Sequence, residues 1–217
     1  MPNIKEVKNR IGSVKSTQQL TKAMKMVAAA KLKRAQDKVT ELRPYSNKLN
    51  EILSNLSDSI SNVLFEKRDV KNKLFIVVAS DKGLCGSFNS NIFKLFNSVS
   101  ENNNDHLDSI NILPIGKKAY DFFKKKDYNV IDQFWNTLNG FSYADASNIF
   151  DYVQDEYLNN NIDQVHIIYN EFKNVAVQNS VVEQFLPVEN NLEEDNKEVI
   201  NKNYLFEPSK SDIADSL

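Results

Sequence analysis

The segment Lys73-Leu-Phe-Ile-Val-Val-Ala79 decides the fold of the larger part of this sequence. It is a short, continuous apolar run rich in β-branched residues, which is typical of a strand buried on both faces of a sheet. A turn-rich loop, Ser80-Asp-Lys-Gly-Leu-Cys-Gly86, follows it, and a helical apolar pattern then covers Phe88–Val99. Strand, loop and helix in this order predict the first half of a βαβ unit.

The same alternation of strands and helices continues toward the C-terminus. The further candidates are a strand at Ile110–Ile115, a helix at Lys117–Lys126, a helix at Tyr143–Leu158, a strand at Val165–Tyr169, an edge strand or hairpin arm at Val175–Gln184 and a solvated acidic loop at Asn190–Asn203. Together they predict an α/β domain over residues 65–217 with an open, Rossmann-like sheet.

A long amphipathic helix is predicted for the N-terminal part of the chain. From Ile4 to about Val63 the only helix breakers are Gly12 and Pro44. Two rows of seven-residue spacing keep one register: Val7, Val14, Thr21, Ala28, Ala35, Leu42, Leu49, Leu56 and Val63, and Ile4, Ile11, Gln18, Lys25, Leu32, Val39, Ser46, Leu53 and Ile60. This repeat predicts a left-handed coiled coil over residues 1–64.

The heptad pattern weakens between Gln18 and Lys25, where Leu20, Met24 and Val27 carry the apolar surface instead. We therefore expect that the helix faces a different surface here from the coiled-coil partner that its heptad rows contact elsewhere. The rest of the chain contains no second heptad run of comparable length. Because a helix gains most of its stability from packing, the partner helix is expected to lie outside this chain.

Pro44 lies inside the predicted helix. Because proline lacks an amide hydrogen, the carbonyl of Thr40 loses its helical partner. A gentle kink near Thr40–Tyr45 is expected, and a break of the helix is the alternative.

Charge is distributed unevenly along the chain. The formal net charge is −2, yet residues 1–50 contain twelve Lys or Arg against three Asp or Glu. Such an excess cannot pair along a helix as ordinary surface charges do. It indicates an anionic partner, either nucleic acid, a membrane surface or an acidic protein face, with a merely solvated helix surface as the alternative. Residues 1–44 contain no aromatic residue, so the stacking platform of a single-strand binder is missing.

Composition excludes several kinds of site. The single cysteine, Cys85, cannot form an intrachain disulfide, and with His106 and His166 it supplies too few soft ligands for a structural zinc site. The five glycines form neither standard nucleotide-binding turn. No apolar run approaches the roughly 20 residues that span a bilayer. We therefore expect no cofactor, no metal and no direct membrane insertion.

The loop after the first strand lies where open α/β sheets hold their ligands. Asp81, Lys82 and Cys85 could serve there as acid, charge clamp and nucleophile, but Cys85 has no nearby histidine to act as its base. A turn in which both glycines of the loop adopt positive φ is the favoured interpretation. His166, on an apolar strand, is interpreted as a packed core residue.

Two stretches of the sequence resemble the gamma subunit of the F-type ATP synthase, the central shaft of a rotary enzyme. The first begins Ile11-Gly-Ser-Val-Lys-Ser-Thr-Gln-Gln-Leu-Thr-Lys-Ala-Met-Lys-Met and continues to Arg43-Pro44-Tyr45, and Tyr204-Leu-Phe-Glu-Pro208 adds a further match. The second is the loop whose matching residues are Asp81, Lys82, Gly83, Leu84, Cys85 and Gly86. The resemblance implies an antiparallel coiled coil of N- and C-terminal helices with a Rossmann-like domain at its base.

The resemblance also implies partners for the long helix. In this family the shaft turns inside a ring of alternating alpha and beta subunits, and the beta subunits carry out the catalysis. By matching position, Lys22, Met24 and Lys25 approach an acidic lever loop of the beta subunits. The chain is therefore expected to be a non-catalytic rotor, with a nucleic-acid-binding α/β protein carrying a basic helical arm as the rival.

Further partners are implied for the base of the shaft. The resemblance places Tyr204, Phe206 and Glu207 near the epsilon subunit and the membrane ring of c subunits. The complex is expected at the cytoplasmic face of a bacterial inner membrane, or alternatively at a mitochondrial inner membrane. Family members continue into a C-terminal helix, so the sequence is interpreted as a truncated or fragmentary gamma subunit.

Overall fold

The computed structural model describes residues 3–57, 63–102, 109–138 and 140–188. The chain divides into two compact units, Met1–Asn55 and Leu56–Leu217. The loop expected at Asn190–Asn203 lies outside the described residues. No helix within the described ranges is both long enough and apolar enough to cross a lipid bilayer.

The first unit is built from one helix, α1 (Ile4–Ser57, 54 residues). Its sequence is rich in lysine, leucine and alanine, which are good helix formers. The helix continues through Pro44, so the alternative of a helix break is wrong. The prediction that the helix extends to about Val63 is also wrong, because Val63 begins a separate 3-10 turn, Val63–Phe65.

The described residues of the second unit form a five-stranded sheet and three α-helices. In chain order its elements are β1 (Asn72–Val78), α2 (Phe88–Asn102), β2 (Ser109–Ile115), α3 (Lys117–Phe123), β3 (Asn129–Val130), α4 (Tyr143–Leu158), β4 (Gln164–Phe172) and β5 (Gln178–Leu186). The strand order is β3-β2-β1-β4-β5. All pairs are parallel except β4 with β5, which is antiparallel.

The order of the strands fixes the faces on which the helices lie. The connections through α2 and α3 step from β1 to β2 to β3, and the connection through α4 returns to β4 on the other side of β1. Because such crossovers are right-handed, α2 and α3 cover one face and α4 covers the opposite face. The predicted Rossmann-like α/β class is confirmed, with its topological switch point between β1 and β4.

Two apolar layers enclose the sheet, because alternate residues of a strand point to opposite faces. Phe75 and Val77 of β1 pack with Phe96 of α2 and Phe123 of α3. The α4 layer consists of Leu74, Ile76, Leu113, Ile115, Ile149, Val153, Tyr157, Ile162, Val165 and Leu186. The central strand β1 is thus buried on both faces, as its continuous apolar run predicts.

Several elements differ from the sequence prediction, and α2 and β4 each extend three residues beyond their expected ends, to Asn102 and Phe172. The helix expected to extend to Lys126 ends at Phe123, and the three lysines that follow form turns. The edge strand begins at Gln178, because the Asn174 side chain accepts hydrogen bonds from the amides of Ala176 and Val177 (2.9 Å each) and holds them in the turn. Strand β3, only two residues long, is not predicted.

His166 lies on β4, partly buried, with its ring stacked on Phe75 at a centroid distance of 5.3 Å. The interpretation of His166 as a packed residue agrees with this contact.

Candidate partner-binding surfaces

The apolar rows of α1 lie on an exposed surface. Ile11 is 53% exposed, and Val14 and Leu42 are each 62% exposed. Apolar side chains of this size stay in water only at an energetic cost, and a contiguous row of them marks an interaction surface. α1 therefore offers its heptad stripe to a partner, in agreement with the coiled-coil pattern.

The three residues matched to the lever contact are all exposed on α1. Lys22 and Lys25 are three positions apart and therefore lie on the same side of the helix. Met24 points to another side, where Leu20 precedes it by four positions and Val27 follows it by three. The helix thus presents a pair of positive charges next to an apolar strip over barely two turns.

The lysine pair has no acidic neighbour within the described residues. Lys48 and Glu51 form an ion pair of 2.9 Å near the other end of α1. Neither Lys22 nor Lys25 has a described carboxylate within 4.0 Å. Nearby hydroxyls bond to the helix itself, since Thr17 donates to the Ser13 carbonyl and Thr21 to the Thr17 carbonyl, both at 3.0 Å. The pair is therefore available to an acidic partner.

The second surface is the loop that leaves the carboxyl end of β1. Asn89, in the first turn of α2, accepts a hydrogen bond from the Ser80 amide (3.0 Å) and donates to the Ser80 hydroxyl (2.8 Å) and to the Cys85 sulfur (3.3 Å). Asp81 accepts a hydrogen bond from the Lys117 amide at 3.0 Å. These contacts fasten both ends of the loop to α2 and α3.

The tip of this loop projects into solvent. Leu84 is fully exposed and has φ 62°, and Gly86 also has φ 62°. The prediction of positive φ is confirmed for Gly86 and wrong for Gly83, because the bend falls one residue later, at Leu84. An L residue held in this conformation carries strain that the surrounding hydrogen bonds must offset.

The catalytic alternative for the loop gains no support from its geometry. Cys85 is an exposed free thiol, and its sulfur approaches Ser80, the Lys82 carbonyl and Asn89. None of these groups is a base that could form the thiolate. The described residues contain no group of three or more side chains able to hold a metal ion. Tyr204, Phe206 and Glu207 lie outside the described residues.

Sequence reasoning missed the residues that hold the loop. Asn89 and Lys117 carry no motif of their own, and each acts through its position at the start of a helix. The available signal for Asn89 was its place just after Gly86 at a helix start, where asparagine commonly bonds to nearby backbone amides.

We expect Asn89→Ala to destabilise the second unit by about 1–3 kcal/mol, because the Ser80 amide loses its acceptor. Urea unfolding followed by the fluorescence of Trp135, the single tryptophan of the chain, measures this loss. Asn91→Ala is the matched control, since exposed Asn91 donates from its side chain to the Ser87 hydroxyl at 3.3 Å, its one acceptor in the described part of the chain. Equal losses in the two variants would contradict the role assigned to Asn89.

Comparison with known proteins agrees with this architecture. Residues 3–217 match the family described as ATP synthase. The ATP synthase gamma chain of Cytophaga hutchinsonii is 44% identical over 225 residues, which cover 100% of this chain and 76% of that protein. The ATP synthase gamma chain of Chloroherpeton thalassium is 42% identical over 234 residues, with the same coverage.

Solved structures give the same result. The likeness to the Tetrahymena thermophila mitochondrial ATP synthase, central stalk and c-ring, has a TM-score of 0.50 at 28% identity and covers 77% of this chain and 72% of that one. The rotor of the Euglena gracilis mitochondrial ATP synthase shares the fold, with a TM-score of 0.54 at 19% identity over 82% of this chain and 61% of that chain. The chain therefore belongs to the gamma-chain family of the ATP synthase, the family of its central stalk subunit.

Proposed function

We propose that this chain couples rotation of a membrane ring to ATP synthesis by pressing on the beta subunits through α1. The observation that carries the proposal is the exposed Lys22 and Lys25 pair beside Met24, which has no acidic neighbour among the described residues. An acidic lever of a beta subunit has the complementary charge. An exposed positive pair steers such a partner and fixes its register.

The coupling is mechanical and needs no catalytic group in this chain. A shaft that contacts each beta subunit differently at each angle favours a different nucleotide-binding state in each of them. Proton flow through the ring supplies the rotation, and the chemistry on ATP belongs to the beta subunits. In this arrangement residues 1–64 act as the shaft and residues 65–217 as its base.

The base is proposed to bind the epsilon subunit and the ring of c subunits. The family resemblance supports this through the segment containing Tyr204, Phe206 and Glu207. The similar gamma chains of Cytophaga hutchinsonii and Chloroherpeton thalassium come from bacteria, which supports the cytoplasmic face of a bacterial inner membrane as the location.

Direct observation of rotation tests the proposal. The full chain is assembled with alpha and beta subunits, and the head is fixed to a surface. Cys85→Ser removes the single natural thiol, and Asp155→Cys places a new one on exposed α4 for attachment of a bead. We expect stepwise rotation in one direction on addition of ATP.

The control carries Cys85→Ser alone, which offers no point of attachment and should show no tethered bead. ATP hydrolysis is measured on the same assemblies. Hydrolysis at an undiminished rate with a firmly attached but stationary bead would refute the rotor function.

A further inference from the structure

We propose that the α3 side of the second unit is a contact surface for the anionic headgroups of a phospholipid bilayer. This α3 patch is formed by Lys117, Lys124, Lys125, Lys126, Tyr120, Phe122 and Trp135. It is remote in sequence from the lysines of α1 and does not depend on the coupling function proposed for them.

Charge separates the two faces of the unit. Between Lys117 and Asp132 five lysines outnumber three aspartates, whereas α4 on the opposite face contains four carboxylates and no basic residue. None of the patch lysines lies within 4.0 Å of a carboxylate among the described residues. Of these two faces, the α3 face is therefore the one suited to an anionic surface.

Half-buried aromatic rings lie directly beside these lysines. The Trp135 ring stacks on Tyr120 with centroids 5.1 Å apart. The Lys124 ammonium donates to the Tyr120 hydroxyl at 3.0 Å, and this hydrogen bond raises the pKa of Lys124 above its ordinary value. The Lys126 ammonium lies 4.4 Å from the centroid of the Phe122 ring and donates to the Asn97 side chain at 3.1 Å.

The composition of the patch favours a bilayer over an acidic protein. Protein interfaces are enriched in arginine and depleted in lysine, yet every basic residue from 109 to 138 is a lysine. Lysine clusters attract anionic lipids electrostatically. Tyrosine and tryptophan, with an apolar body and a polar edge, are the residues that settle at headgroup level.

Trp135 provides a local reporter because it is the only tryptophan in the chain. The full chain is mixed with vesicles of 30% phosphatidylglycerol in phosphatidylcholine, or of phosphatidylcholine alone. We expect the anionic vesicles to shift Trp135 emission to shorter wavelength and to lower its acrylamide quenching at least twofold. Sodium chloride at 0.5 M should abolish both effects through screening.

Two variants separate this patch from α1. Replacement of Lys124, Lys125 and Lys126 by glutamine should raise the lipid concentration that gives a half-maximal Trp135 response at least tenfold. The matched control replaces Lys15, Lys22 and Lys25 of α1 by glutamine and should leave that response in place. Because the salt dependence is measured on the unmodified chain, the test does not rely on the folding of a variant.

Three outcomes would overturn the proposal. Vesicles that sediment with the chain while Trp135 stays unchanged would place the membrane contact on α1. A Trp135 response to polyglutamate and not to vesicles would assign the patch to an acidic protein. The same response to inorganic phosphate at equal ionic strength would indicate general anion binding. None of these outcomes would contradict the coupling function proposed for α1.

Discussion

Gly116→Ala is expected to destabilise the second unit by about 3 kcal/mol or more. Gly116 joins β2 to α3 with φ 96°, a conformation that L side chains rarely adopt. A Cβ atom at this position would lie 2.0 Å from the Ala79 carbonyl oxygen and 2.8 Å from Leu138. Backbone strain and overpacking cost about 1–3 kcal/mol each, and here both arise at the carboxyl ends of the two central strands.

Urea unfolding followed by Trp135 fluorescence and by circular dichroism measures this effect. Gly140→Ala and Gly86→Ala are matched controls, since both glycines have positive φ, 88° and 62°, but neither has an atom within 4 Å of an added Cβ. They report strain alone, about 1–2 kcal/mol. A Gly116→Ala loss no larger than that of Gly140→Ala would show that the close packing against Ala79 is unimportant.

The strands of the sheet differ in how well the sequence predicts them. The apolar runs at Lys73–Ala79 and Ile110–Ile115 indicate β1 and β2, because burial on both faces leaves a continuous hydrophobic signal. The two residues of β3 leave no such signal. Asn129 and Val130 are in a strand because β2 offers them backbone partners, through its pairing of Asn111 with Asn129, and a short sequence window does not contain that information.

The candidate surfaces were predictable to different degrees. The exposure of Met24 follows from the displaced apolar stripe, since a side chain outside the heptad rows does not face the coil partner. The hydrogen bonds that hold the loop were not predictable. Asn89 and Asp81 accept them from backbone amides that come near only when the sheet has folded. The bend at Leu84 likewise depends on those hydrogen bonds, whereas sequence reasoning assigns positive φ to glycine.

The double variant Lys22→Glu with Lys25→Glu is expected to lower ATP-driven proton pumping at least tenfold in the assembled, reconstituted complex. Both side chains lie on one side of α1 without an acidic neighbour among the described residues, so their charge is open to a partner. In the proposed mechanism that partner is an acidic lever, and reversal converts attraction into repulsion. For charges about 4 Å apart, the Coulomb energy of one pair is about 1 kcal/mol in water and about 4 kcal/mol near a protein surface, and reversing one charge changes it by about twice that amount.

The comparison of pumping with ATP hydrolysis locates the defect. Because the catalytic groups belong to the beta subunits in the proposed mechanism, hydrolysis by the head should fall much less than pumping. Lys5→Glu with Lys8→Glu is the matched control, since these exposed lysines have the same spacing on the same helix. Met24→Lys, which introduces a charge into the apolar strip, should also impair pumping. Unchanged pumping in both Met24→Lys and the double variant would mean that this turn of α1 does not transmit the force, and that the charge excess of the helix serves another contact.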